Sequence, residues 1–229
     1  MVGVLVNVLT VLLGGTVGLL FKKGIPEKVS RAVMIGLGVC TLYIGISGSL
    51  CGENVLILIA AVVLGAIIGT LLDIDGAMNR LAEKVEGKFR KEGQKISLAE
   101  GFVSATLLFC VGSMTVTGSL QAGLSGDNSV LITKAMLDLV SSMMLASSLG
   151  AGVLLSAVSV LVIQGGLALL AGLVAPFLGP AAINEMTCAG SLLIIMIGTN
   201  LMGVTKFKVA DYLPAILLAP ILHNIVALF

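Results

Sequence analysis

Long uncharged apolar runs constrain this chain more than any other feature of its sequence. Several of them reach the length of about 20 residues that an α-helix needs to cross the hydrocarbon core of a bilayer. Charged residues make up only 11 % of the 229 residues, against about 25 % in an average soluble domain. We therefore predict an all-α protein that crosses a membrane several times.

Eight runs between charges and turn residues have this length, which predicts a bundle of about eight transmembrane helices. The predicted spans are 2–21, 32–50, 55–72, 102–120, 129–149, 153–175, 186–202 and 209–229. The turn Gly126-Asp127-Asn128 precedes the fifth span and predicts an N-cap there.

The basic residues predict the orientation of the bundle. Eight spans place the segments 22–31, 73–101, 150–152 and 203–208 on one side of the membrane, and these segments hold 12 of the 13 basic residues. Basic loops face the cytoplasm in most membrane proteins. The predicted topology therefore has both termini outside and the connector 73–101 in the cytoplasm.

The connector 73–101 is the one long polar segment, with 12 of the 25 charged residues of the chain. Its apolar residues recur at three- and four-residue steps, which predicts an amphipathic cytoplasmic helix. These residues are Ile74, Met78, Leu81, Val85 and Phe89. A solvated linker and a regulatory element both remain open as its role.

Two stretches of the chain align as an internal repeat. Residues 9–16 and 107–114 both change midway from apolar residues to glycine and hydroxyl residues. Each unit has three spans and the connector stays on one side, so the second unit would be inverted. The predicted organisation is repeat 1 over 1–72, the connector 73–101, repeat 2 over 102–176 and two further spans over 177–229. A chance alignment of glycine-bearing helices is the alternative.

The fifth span contains an acidic residue deep in the membrane. Asp138 lies nine residues after Ser129, which places it roughly 14 Å into the bilayer. Lys134 is one turn away and can pair with it, while Ser141 and Ser142 extend the polar stripe. Intramembrane charges are costly and usually functional. The pair could bind a coupling ion, or it could be a self-neutralised structural pair.

The fourth span carries a cluster of glycine and hydroxyl residues, which weaken a helix. We expect an interruption near 112–119, of the kind that exposes backbone dipoles to substrates in transporters. The candidate binding residues in this cluster are Ser113, Thr115, Thr117, Ser119 and Gln121. Asn7 in the first span and Gln164 in the sixth are further candidates. Simple helix packing is the alternative explanation.

Other function classes receive no support from the sequence. The net charge of +1 argues against a nucleic-acid binder. Common enzyme and cofactor motifs are absent, so we expect no catalytic site and no cofactor. The four cysteines lack metal-site spacing, so we expect no metal site and interpret them as packing residues.

Four motifs together resemble the YdfK/YqgA-type family of bacterial membrane proteins. They are the segments 112–115 and 118–121, Lys134 with Asp138, and 164–166. The resemblance implies a multi-pass protein of the bacterial inner membrane. It supplies no substrate and no catalytic residue.

The residues themselves favour a proton- or sodium-coupled transporter for a small polar solute or ion. The expected partners are the lipid bilayer and that solute, and a homo-oligomer stays open. A channel and a non-transporting membrane scaffold are the alternatives. With 4 % aromatic residues and no tryptophan, the chain is poorly suited to stack sugars. Ions, amino acids and small organic acids fit better.

Overall fold

Every regular element in the described part of the chain is helical, which confirms the predicted all-α bundle. The computed structural model describes residues 1–22, 27–80, 98–111 and 113–227. The helices are α1 Val2–Lys22, α2 Glu27–Ser49, α3 Val55–Leu71, α4 Ile74–Arg80, α5 Leu98–Cys110, α6 Ser113–Leu124, α7 Ser129–Leu149, α8 Gly152–Leu169, α9 Ala171–Val174, α10 Pro180–Leu201 and α11 Pro214–Val226. Short 3₁₀ turns occupy Ala175–Phe177 and Val209–Tyr212.

Within the described ranges, six helices are long and apolar enough to cross a membrane. Two bent pairs raise the number to as many as eight: α3 with α4, bent by 49°, and α5 with the segment Met114–Leu124 of α6, bent by 60°. The start of α5 lies beside Gly152 at one end of α8, and Gly123 in α6 lies beside Ala168 at the other end. The α5–α6 pair therefore runs the whole length of α8 as one broken span.

Close helix contacts fix the relative directions of the spans. A Cβ atom on Gly14 or Gly18 in α1 would collide with a backbone carbonyl of α7, at Leu139 or Met143. Since both sets of numbers rise together, α1 and α7 run parallel. A Cβ atom on Gly69 in α3 would collide with the Asp211 carbonyl just before α11. These glycines allow backbones to touch, as small residues do in membrane helices.

The segments that the sequence predicts to be cytoplasmic lie at one end of the bundle. The start of α4 reaches the turn before α11, where the Asp75 N–H donates to Asp211 Oδ1 at 2.8 Å. The start of α5 meets Gly152, and Ala99 and Glu100 line a cavity with Asp75 and Lys208 at this same end. Residues 81–97, which form most of the predicted amphipathic helix, lie outside the described part. The side of the membrane that this end faces stays a prediction.

The spans pack in two groups, which we name the α7 group (α1, α5, α6, α7 and α8) and the α10 group (α2, α3, α10 and α11). The groups meet where α10 contacts α5 and α6, and where α2 contacts α7. These groups cut across the predicted repeats 1–72 and 102–176, because α1 packs on α7 and α8. The inverted repeat stays a prediction.

Candidate functional site

Three helices of the α7 group meet at a buried polar network. Asn7 in α1 donates from Nδ2 to Asp138 Oδ2 in α7 at 3.0 Å and to Gln164 Oε1 in α8 at 3.2 Å. Asn7 and Gln164 are fully buried, and Asp138 is buried as well. An amide nitrogen carries two hydrogens, so Asn7 can make both bonds at once. Three residues predicted from separate spans thus form one cluster.

Asp138 also accepts a hydrogen bond from the Lys134 ammonium group through the same oxygen, Oδ2. The two side chains are one turn apart on α7 and are only 8 % and 7 % exposed. The predicted pairing of Lys134 with Asp138 is therefore present. Because both donors bind Oδ2, this one carboxylate oxygen links the Lys134 ammonium group to the Asn7 amide.

Local packing explains why the short Asn7 side chain reaches its partners. Gly14 and Gly18 allow the backbone of α1 to touch α7. Thr10 Oγ1 donates to the Asn7 carbonyl at 2.8 Å, which uses the Thr10 hydroxyl inside its own helix. Just before the first turn of α7, Asn128 Oδ1 accepts from the Gly3 N–H at 2.9 Å, which holds the start of α1 in register.

The break between α5 and α6 confirms the predicted interruption at its first residues. The α-helix ends at Cys110 and resumes at Ser113, and Thr115 Oγ1 donates to the Phe109 carbonyl at 3.0 Å. That bond satisfies one carbonyl at the end of α5. The interruption is short, because α6 is helical from Ser113 onward. Gly112 and the side chain of Ser113 lie outside the description.

A cavity of about 420 Å³ lies between the two helix groups, next to this break. Its walls come from α2, α5, α6, α7 and α10. Its polar lining consists of Thr41, Thr115, Lys134, Asp138, Ser141, Thr187 and Ser191. The Lys134–Asp138 pair therefore touches both the buried network and the cavity.

The polar residues on the far wall of the cavity are not among the predicted site residues. Thr187 and Ser191 lie one turn apart on α10, and Thr41 lines the same cavity from α2. Thr187 Oγ1 is buried and finds no hydrogen-bond partner among the described residues. A threonine and a serine four residues apart in an apolar run were the available signal, but such pairs also occur in ordinary helix packing.

Several predicted site residues lie away from the cavity. Gln121 is exposed near the end of α6, and Thr117 does not line the cavity. Ser119 is fully buried, and within the described ranges its hydroxyl has no partner. Ser142 donates to the Leu139 carbonyl of its own helix at 3.0 Å and faces Gly14 of α1. Gln121, Thr117 and Ser119 belong to α6, beyond its first turn at the cavity. Ser142 follows Ser141 by one residue, a rotation of about 100° around α7, so it points toward α1 rather than into the cavity.

A second cavity, of about 440 Å³, lies at the opposite end of the α10 group, lined in part by Asp75, Glu100 and Lys208. It is slightly larger, but its walls hold none of the predicted site residues. No group of three or more His, Cys, Asp or Glu side chains in the described part is arranged to hold a metal ion. The cavity beside Asp138 is therefore the candidate site.

The whole chain is similar to known bacterial proteins. The uncharacterised membrane protein YdfK of Bacillus subtilis (strain 168) is 30 % identical over 233 residues, which cover 100 % of this chain and 98 % of that protein. The uncharacterised protein YqgA of Escherichia coli (strain K12) is 32 % identical over 221 residues, which cover 95 % of this chain and 94 % of that protein. No solved structure matches the chain. The family model described as "Protein of unknown function (DUF554)" matches residues 2–224, and the chain therefore belongs to this family of membrane proteins, as its motifs implied.

Proposed function

We propose that this protein is a secondary transporter of the bacterial inner membrane that couples a small polar solute or ion to protons or sodium ions. The observation that carries the proposal is the buried Lys134–Asp138 pair on the wall of a cavity between two helix groups. Placing either charge in a membrane helix costs about 2.5–3.5 kcal/mol by insertion scales. A non-transporting membrane scaffold would gain nothing from two costly charges on the wall of a cavity.

The donors around the cavity favour a solute with an anionic group, such as an amino acid or a small organic acid. Met114 and Thr115 from the first turn of α6 line the cavity, and the free N–H groups of such a turn attract anions. Lys134 adds a cation, and Thr187 Oγ1 adds a buried hydroxyl that the described residues leave unpaired. A carboxylate could take hydrogen bonds from all three sources.

Coupling would follow from exchange of partners at Lys134. A solute carboxylate that binds the ammonium group would release Asp138, which would then take a proton or a sodium ion. The bound solute and ion would thereby keep the charge of the site balanced. The α7 group and the α10 group would move against each other to open the cavity to either side of the membrane.

Uptake into proteoliposomes tests this proposal. The purified full chain is reconstituted and assayed with amino acids, small organic acids and monovalent ions, with and without imposed proton or sodium gradients. Accumulation above the equilibrium level in one gradient would support coupled transport. Equilibration that ignores both gradients would indicate a channel instead. Failure to move any member of the panel, relative to empty liposomes, would contradict a transport function.

A further inference from the structure

Two cysteines meet at the end of the α2–α10 pair that lies away from the segment 203–208. Cys51 follows the last turn of α2, and Cys188 lies in α10 one turn after Asn184. Both thiols are free in the structure. The sequence alone indicates only packing residues, because the two cysteines are 137 positions apart and form no motif. Their surroundings indicate a more specific role.

The two sulfur atoms bind neighbouring carbonyl groups of the same helix end. Cys51 Sγ donates to the Gly48 carbonyl at 2.9 Å, and Cys188 Sγ donates to the Ser49 carbonyl at 3.0 Å. Cys51 Sγ also lies 3.4 Å from the Asn184 carbonyl, on the turn of α10 that precedes Cys188. Cys51 Sγ thus contacts α10, and Cys188 Sγ contacts the end of α2.

The backbone next to Cys51 packs directly on Cys188. A Cβ atom at Gly52 would lie 2.8 Å from Cys188 Sγ and 3.0 Å from Cys188 Cβ. Consecutive Cα atoms are about 3.8 Å apart, so the Cα atom of Cys51 lies about that far from the Gly52 Cα atom, whose Cβ position contacts Cys188. Disulfide formation needs Cα atoms about 4.4–6.8 Å apart. Cys51 lies in a turn rather than in α2, so a small rotation there can bring the sulfurs together.

We infer that Cys51 and Cys188 are a dithiol pair that closes to an intramolecular disulfide between the end of α2 and α10. The oxidant would be a protein disulfide of the cell envelope. One cysteine thiolate attacks it to give a mixed disulfide, and the second thiolate then displaces the oxidant. Two electrons and two protons leave this chain, and the oxidant is released as a dithiol.

A buried carboxylate stands beside the pair to accept the proton of the attacking thiol. Glu185 is fully buried, and its Oε1 accepts from the N–H groups of Glu53 and Asn54, both at 2.8 Å. Its Oε2 has no hydrogen-bond partner in the described part of the chain. That oxygen lies 3.5 Å from the same Gly52 position that contacts Cys188. An unused acceptor therefore lies beside Gly52, the same position that contacts Cys188.

The predicted topology puts this end of the bundle outside the cytoplasm, where disulfides form and persist. A Cys51–Cys188 bond would join α2 covalently to α10. Both helices line the cavity beside Asp138, so one wall of that cavity would move as a single unit. The inference does not depend on transport, since it concerns only the chemistry of the two thiols.

Thiol trapping in cells tests the inference on the full chain. Cells are quenched with acid, the protein is denatured, and free thiols are alkylated with a polymer-linked maleimide before or after reduction. We expect two of the four cysteines to be protected until a reductant is added. Cys40→Ser and Cys110→Ser, at an exposed and a buried site, should keep this protection. Cys51→Ser should remove it and leave Cys188 reactive.

Two results would overturn the inference. One is alkylation of all four cysteines before reduction, because no disulfide would then exist. The other is protection that survives in Cys51→Ser, because a different pair would then be responsible. The first result comes from the unmodified protein, so it does not require that any variant folds. If the bond forms, reduction of the purified protein should also lower its melting temperature.

Discussion

Replacing Asp138 by asparagine removes the negative charge of the buried pair and keeps the shape of the side chain. An amide oxygen can still accept from Asn7 and Lys134, which both donate to Asp138 Oδ2. The two side chains of the ion pair are only 8 % and 7 % exposed. If the site were dry, an unpaired ammonium group would cost about 3–5 kcal/mol of stability.

We expect the Asp138→Asn protein to stay folded and to lose gradient-driven accumulation. Lys134 lines the cavity, so water there can solvate its ammonium group and reduce the cost well below that limit. The asparagine cannot take up a coupling proton. The measurements are the melting temperature of the purified protein and solute uptake per reconstituted molecule. Asp127→Asn, an exposed acid before α7, is the matched control and should leave both unchanged.

The double substitution Lys134→Met with Asp138→Leu separates structure from coupling. Replacing a buried ion pair by apolar residues of similar size is often neutral or stabilising by about 1–4 kcal/mol. We therefore expect folded protein without accumulation. A double variant that accumulates solute at the rate of the unmodified protein would refute the coupling role of Asp138. Loss of folding in Asp138→Asn that the double variant restores would identify the pair as a structural element.

Three further predictions address packing, the cavity and topology. Gly14→Ala should lower the free energy of unfolding by about 1–3 kcal/mol through overpacking. Gly36→Ala, at a position with open space around it, should be neutral or stabilise the protein by up to about 1 kcal/mol. Thermal unfolding of the two variants distinguishes these outcomes. Thr187→Val removes an unpaired hydroxyl, so stability should hold or rise while the KM for uptake increases; an unchanged KM would exclude Thr187 from the site. In a cysteine-free background, Asp127→Cys should react with an impermeant thiol reagent in intact cells and Lys206→Cys should not; the reverse pattern would invert the topology.

The spans could be predicted from the length of the apolar runs. Most of the polar network could be predicted because its members are polar residues within those runs. Asn7, Asp138 and Gln164 are conspicuous since polar side chains at membrane depth are costly wherever the helices pack. Their mutual contact could not be predicted, because it depends on the crossing of α1 over α7. Thr187 and Ser191 were missed for a related reason. Only the packing of α10 on α2 turns them toward the cavity.

The turn before α7 shows a second limit of sequence reasoning. Asn128 occupies the N-cap position as predicted, but its side chain makes no capping bond and instead accepts from the Gly3 N–H. Asp127 accepts from the Ser129 N–H at 2.9 Å, and this hydrogen bond holds the pKa of its carboxyl below the usual range. The residue types therefore predict the turn. Which side chain binds the Ser129 N–H depends on α1, because the Gly3 N–H of α1 binds Asn128.

A single oxygen atom, Asp138 Oδ2, connects the cavity to the packing of the α7 group. It accepts from Lys134, which lines the cavity, and from Asn7, which also binds Gln164 in α8. A ligand that draws Lys134 away would leave Asn7 as the one described donor to that oxygen. Any change in the charge of Asp138 would then alter the bond that joins α7 to α1 and, through Gln164, to α8. Because Gln164 Nε2 has no partner within the described residues, a rotation of the Gln164 amide would break only the bond that its Oε1 accepts from Asn7.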